Sequence, residues 1–249
     1  IGAGISGFTE LGIARSRPAL AIREAVTLIR ALMRGEEVDF QGRTVEFKGG
    51  ALNFPPLRPD LPIYIASNSP LGLKLAGELA DGAIISSCAT RTTVDYSLGI
   101  ISEGASRTGR DIAAIDRVAR LNCCIAADSQ EALQGVRMSA VRSLSTYTRF
   151  AIAAGLEVTP DLIDAVAQLG YTHDTQKLES LAKQAPDDLI RDATLAGTVE
   201  EVSAKVVSMI ESGITQVTIR ASATPHQGIA TTLETFATQV MPQVREQLR

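Results

Sequence analysis

Cysteine and histidine are scarce in this 249-residue chain, with three of the first and two of the second. Cys88, Cys123 and Cys124 form neither an even-numbered disulfide framework nor a metal-ligand spacing, and the adjacent pair sits in an apolar run, so reduced core thiols are expected. His173 and His226 have no partner at metal or catalytic-triad spacing. Clusters of one charge are missing too: 24 Lys and Arg are scattered among 28 Asp and Glu, for a net charge of −4. That pattern offers no electrostatic footprint for nucleic acid or an anionic membrane. No apolar run approaches the roughly 18 to 20 residues of a membrane span, and no basic-then-apolar leader opens the chain. The sequence therefore predicts a soluble, cytoplasmic protein.

What is present is a core. Hydrophobic residues make up 45% of the chain and mean hydropathy is +0.12, enough for one large α/β domain or two smaller ones. Pro18 at a first helical position opens a helix with Ile22, Val26, Ile29 and Met33 on one face, and Gly35 ends it. Two β-rich runs, 37–40 and 44–47, flank Gln41-Gly42-Arg43 as a hairpin excursion. Short apolar strands are predicted at 62–67, 82–87, 118–126 and 215–220, each followed by an amphipathic helix. Asp128 or Ser129 caps the helix after the third of these, and Thr198 with Glu201 forms a capping box. Residues 144–192 read as a helical insertion. Strands alternating with helices mean a parallel sheet, either doubly wound or a barrel.

The opening Gly2-Ala3-Gly4-Ile5-Ser6-Gly7 fits the dinucleotide fingerprint letter for letter, but its context does not. That fingerprint needs a helix opening within the glycines and an acidic residue at a strand end about 20 positions on. Here the helix starts at Pro18, and Glu24 lies inside it. The alternative is a strand-to-loop turn at a barrel mouth, where Gly2 and Gly4 let backbone approach a ligand. The chain starts at Ile1 without an initiator Met, inside a strand-to-loop transition. An eight-stranded barrel would then have about three further strand-helix units upstream, some 100 residues.

Four stretches together resemble the bacterial-luciferase-like superfamily, especially its deazaflavin-dependent branch typified by methylenetetrahydromethanopterin reductase. They are Gly2-Ala3-Gly4 with Leu11-Gly12 and the helix from Arg17-Pro18, then Gly35-Glu36 to Phe47 with Pro55-Pro56 and Pro62 to Ala66. Leu75-Ala76-Gly77-Glu78-Leu79-Ala80-Asp81-Gly82 is the most characteristic run, and Leu195 to Glu201 with Gly213 to Val217 is the last. The resemblance implies a single (β/α)8 TIM barrel domain of luciferase-like type over residues 1–249, lacking its first strands. It also implies a cofactor, deazaflavin (coenzyme F-420) or FMN, across the C-terminal strand ends. The activity it implies is hydride exchange with a small-molecule substrate. The alternatives are a reduced-FMN-dependent monooxygenase served by a flavin reductase, and a non-catalytic relative. Open strand edges and apolar helix faces would favour a homo-oligomer.

Ser67-Asn68-Ser69-Pro70 joins a buried strand to a helix N-terminus, where free N–H groups, hydroxyls and the helix dipole suit a phosphate. With Gly2, Gly4 and Ala66 these residues form the predicted cofactor site. Ser86 and Ser87 end the next strand, where barrel enzymes keep substrate residues. In similar sugar-phosphate dehydrogenases a threonine and a lysine hold a phosphate there; this chain has Ser86 but Ala89, which argues against a sugar phosphate. Arg220, with Ser222 and Thr224, follows the last strand and faces the same task of meeting an anion. No general acid or base stands out.

Overall fold

The computed structural model describes residues 1, 2, 4, 11, 12, 15–169 and 174–249. Ala3, Ile5, Ser6 and Gly7 of the glycine motif and His173 of the insertion lie outside the described residues. The chain divides into two compact units, Ile1–Ile84 with Ile100–Asp116, and Ile85–Gly99 with Arg117–Arg249.

The first unit opens at Ile1. Helix α1 follows, Pro18–Met33, and ends at Gly35, whose φ of 78° and N–H bond to Leu32 close the last turn. Its buried face is Ile22, Val26, Leu28 and Ala31, with Glu24 buried among them, whereas Ile29 and Met33 are half-exposed. The face is thus rotated from the one the apolar spacing predicted, because donors from residues 43–45 offset the cost of burying the Glu24 carboxylate among the apolar side chains. Antiparallel strands β1, Val38–Gln41, and β2, Glu46–Gly50, form the hairpin. Strand β3, Tyr64–Ala66, pairs in parallel with β4, Gly82–Ser86, across helix α2, Pro70–Leu79. Ile1 adds to the free edge of β3, its amino group donating to the Tyr64 carbonyl and its carbonyl accepting from Ala66 N–H at 2.8 Å.

The run Leu75 to Gly82, the most telling stretch of the sequence, is a packing knot. A Cβ on Gly77 would lie 2.0 Å from the Ile101 carbonyl oxygen, so only glycine lets α2 approach the following helix α3, Arg91–Arg107, so closely. Asp81 accepts from Ile63 N–H at 2.8 Å and from the Arg30 guanidinium at 3.0 Å, tying α1 to the start of β3. Gly82 leaves room for the Tyr64 ring, whose hydroxyl donates to the Asp116 carboxylate.

The second unit is built on β5, Asp116–Ile125, preceded by a short 3-10 turn at Ile112–Ala114. After β5 come helices α4, Ser129–Val141, α5, Leu144–Ala153, α6, Pro160–Leu169, α7, Thr175–Gln184, and α8, Asp187–Ala193. Strand β6, Thr194–Gly197, then leads into α9, Val199–Glu211, and β7, Gln216–Ala221. Helix α10, Ile229–Thr235, passes through a π turn into α11, Met241–Gln247. β6 pairs in parallel with the end of β5, and β7 with its middle. Asp128 caps α4, and the Thr198–Glu201 capping box is complete. β6 is the strand that periodicity missed: four residues, all buried, are too few to show an alternation. Among the described residues, β7 has strand pairing with β5 alone.

Candidate functional site

Within the first unit, a cavity of about 680 Å³ lies where the N-terminal ends of α1 and α2 meet the end of β3. Its lining includes Ala66, Ser67 and Ser69 from the β3–α2 loop, Gly72 from α2, and Arg15, Arg17 and Arg43. Pro18, Leu20 and Ile22 of α1 supply apolar surface.

The loop is ordered by its own hydroxyls. Ser67 N–H donates to the Ile84 carbonyl at 3.1 Å and fixes the loop to β4. Ser67 Oγ accepts from Ser69 N–H at 3.1 Å and lies 3.0 Å from Ser69 Oγ, which in turn accepts from Gly72 N–H at 3.1 Å as the N-cap of α2. One O–H proton is consumed between the two serines, so the other remains for a ligand. Pro70 has no N–H, Gly72 uses its own on Ser69, and Leu71 N–H has no acceptor inside the helix. These donors sit at the positive end of the helix. Gly72 makes the arrangement possible, since a Cβ there would lie 2.1 Å from Ser67 Oγ and 2.5 Å from Ser67 Cβ.

Of the predicted cofactor residues, Ala66, Ser67 and Ser69 line this cavity, and Gly2, Gly4 and Asn68 are not among its lining. Gly2 lies against the loop, and a Cβ on it would be 3.0 Å from the Ala66 carbonyl oxygen. The Gly4 carbonyl accepts from Arg15 Nε at 2.8 Å. Asn68 is half-buried in the same loop.

Three arginines of the lining were not singled out by sequence. Arg17 sits immediately before α1 with a left-handed φ of 47°. Arg43 is held by the hairpin turn, where Arg43, Thr44 and Val45 N–H groups donate to the buried Glu24 carboxylate at 2.8, 2.8 and 2.9 Å. The Thr44 hydroxyl, first among these contacts, and the turn's N–H groups hold the Glu24 carboxyl at about 2, well below its ordinary value. Gly42 lets the turn close on Glu24, because a Cβ there would lie 2.5 Å from the carboxylate. A basic Arg-Ser-Arg-Pro helix start and a basic hairpin tip were the available signals, and nothing along the chain says they face the same space.

The predicted substrate residues belong to the second unit. Ser86 ends β4, half-buried, and Ser87 turns the chain in a left-handed conformation, φ 58°, with its N–H on the Arg120 carbonyl of β5. Arg220 is exposed on β7, in register with Asn122 of β5. Ser222 meets Ser139 Oγ at 3.1 Å, and Thr224 donates to Glu131, so both hydroxyls are engaged locally. His226 is exposed in the same turn. A second cavity, about 640 Å³, is lined by Arg137, Asp187 and the end of α7, but Arg137 is already committed to the Ala182 and Ala185 carbonyls and to Asp187. No group of three or more metal-ligating side chains occurs among the described residues, and no described helix is long and apolar enough to cross a membrane.

The chain is 28% identical over 211 residues to 5,10-methylenetetrahydromethanopterin reductase of Archaeoglobus fulgidus, an alignment covering 84% of this chain and 62% of that protein. It is 33% identical over 138 residues to F420-dependent glucose-6-phosphate dehydrogenase of Nocardia farcinica, covering 55% and 41% of the two chains. The solved structure of the coenzyme F420 dependent tetrahydromethanopterin reductase from Methanopyrus kandleri superposes with a TM-score of 0.78 at 21% identity, over 98% of this chain and 74% of that one. The strand-helix order is therefore that of the luciferase-like (β/α)8 barrel enzymes. This chain spans less than two thirds of the length of the archaeal reductase. With the model of luciferase-like monooxygenases matching residues 1–216, the chain belongs to the luciferase-like monooxygenase family.

Proposed function

We propose that the protein is an oxidoreductase that exchanges hydride between a deazaflavin (coenzyme F-420) or a flavin and a small organic substrate. The observation that carries this reading is the β3–α2 loop. Two serine hydroxyls, a spare helix N–H and the closely approached Gly72 line a cavity of about 680 Å³, which suits a phosphate on an organic cofactor. Gly2, Gly4 and Ala66 give close backbone approach, and Ser67, Asn68 and Ser69 supply polar contacts. The bound cofactor would supply the hydride acceptor or donor, and the protein's part is to bind, orient and exclude water. Ser86 and Arg220 are proposed as substrate contacts from their places on β4 and β7.

The similarity to 5,10-methylenetetrahydromethanopterin reductases supports a reductase acting on a pterin-borne one-carbon unit as the specific form of this activity. The family's name favours a second reading, a reduced-FMN-dependent monooxygenase that draws electrons from a partner reductase. A homo-oligomer is part of the proposal, motivated by the exposed Phe54, Leu57, Leu61 and Leu71. Three fully buried thiols suit a reducing cytoplasm. Difference spectra on adding the deazaflavin or FMN to the purified protein separate the two readings. Binding of neither, oxidised or reduced, would sink both.

A further inference from the structure

The helices between residues 144 and 192 play no part in the cofactor reading, yet they enclose a cavity of about 570 Å³ within the second unit. Leu156, ahead of α6, Leu162 of α6 and Leu189 of α8 give it an apolar wall, and Glu157, Asp188 and Asp192 give it three carboxyls. Asp188 and Asp192 stand four positions apart on α8, a spacing that sets like charges side by side and destabilises the helix. Asp187, one position earlier, is paired with Arg137, whereas among the described residues neither Asp188 nor Asp192 has a salt bridge or hydrogen bond. Lys205 of α9 attracts Asp192, but its ammonium donates to the Arg191 and Thr194 carbonyls at 2.6 and 3.2 Å. Burial, opposed by Lys205 and reinforced by Asp188, holds the half-buried Asp192 carboxyl above its ordinary range.

A second feature, within electrostatic reach of Asp192, calls for a polar guest. The Tyr147 side chain of α5 is 1% exposed, and its hydroxyl is buried without a hydrogen-bond partner. Such a group costs free energy unless a ligand or water meets it. After burial itself, the charge of Asp192 acts most strongly on this hydroxyl and pushes its pKa up. Edge-on contact with Phe150, ring centroids 6.2 Å apart, holds the ring in place. The carboxyls of the cavity form no metal-ligating group, so a compact metal ion does not suit them. Negative charge beside an apolar wall suits an organic cation instead. We propose that this cavity binds a small organic amine. Asp192 and Asp188 hold its ammonium, the Tyr147 hydroxyl is a further acceptor, and its apolar body rests on Leu156, Leu162 and Leu189. The volume is that of a small-molecule site. This site stands independently of the cofactor that the first unit binds.

Calorimetric titration of the purified protein with phenethylamine, and with phenethyl alcohol as its neutral counterpart, tests the site. The amine should bind about 10-fold more tightly than the alcohol, the size of one charge-assisted hydrogen bond. D192N should weaken amine binding about 10-fold, and D188N about 3-fold because Asp188 is the more exposed of the two. Y147F should weaken it about 3-fold and leave the alcohol unchanged. E234Q, the same loss of charge on exposed α10 surface, should leave amine binding within about 2-fold. Without ligand, D188N and D192N should melt no lower than wild type, because each relieves the repulsion on α8, so weakened binding is not a result of unfolding. Wild type that binds no amine, or binds amine and alcohol equally, overturns the proposal. So does an equal loss in E234Q, or undiminished binding by D192N or Y147F.

Discussion

Gly72→Ala isolates the feature on which the site depends. The added methyl would stand 2.1 Å from Ser67 Oγ and 2.5 Å from Ser67 Cβ, so turning the hydroxyl away is not enough and the loop itself must move. Overpacking of this kind costs about 1–3 kcal/mol, offset by about 1 kcal/mol from replacing a helical glycine with alanine. A net loss near 1 kcal/mol lowers Tm by about 2–4 °C in a chain of this size. The larger effect falls on ligand binding. Displacing Ser67 removes a donor to an anion, worth about 1.5–3 kcal/mol, so affinity for a phosphate-bearing cofactor should drop about 10- to 100-fold. Calorimetry and fluorescence titration read the two quantities separately. Ser67→Gly supplies the control, because it deletes the two atoms the methyl overlaps most and leaves only Ser69 Oγ, at 3.0 Å. The double variant should recover its Tm and still bind weakly. If Gly72→Ala leaves both Tm and affinity unchanged, or if Ser67→Gly fails to restore Tm, the close-approach argument is wrong.

Glu24→Gln should destabilise the protein at neutral pH by loosening the hairpin turn. The folded carboxyl sits at about 2 against an ordinary value of 4.5, so its stabilisation is present above the ordinary value and fades as pH falls toward 2. The gap in Tm between variant and wild type should therefore narrow on acidification from pH 6 to pH 3, and a constant gap contradicts the assignment. Arg137→Ala strips the end of α7 of a guanidinium that is 11% exposed and donates to two carbonyls at 2.9 and 2.8 Å. A loss of about 2 kcal/mol follows, and urea melts should show it together with faster proteolysis near α7. Burial pushes the Cys88 and Cys123 thiols up to about 12 and raises Cys124 as well. Ellman's reagent at pH 8 should label none of them in the folded protein and all three in denaturant.

Several features were legible residue by residue because their causes are local. Pro18 opens α1, Gly35 closes it, Asp128 caps α4, and Thr198 with Glu201 caps α9, each through atoms within four positions along the chain. The Ser67 to Pro70 loop was legible for the same reason: a strand end, two hydroxyls and a helix start follow one another directly. The β6 strand was not, because four buried residues carry no period and their identity as a strand comes from pairing with Asn122 to Ile125, some seventy positions away.

The sequence by itself determined the alternation of strands and helices, hence a parallel sheet, and the family's barrel type with the loop that suits a phosphate. It also argued against a Rossmann site, since the helix opening and the acidic strand end that the fingerprint needs do not follow the glycines. Only the tertiary structure decided what surrounds that loop. Glu24 interrupts the apolar face of α1 because it is buried against the hairpin turn and holds it. That contact brings Arg43 to the same cavity as Arg15 and Arg17. Hydrogen bonds between residues about twenty positions apart leave no periodic trace in a sequence, so the charge that distinguishes this site became visible only once the chain was folded.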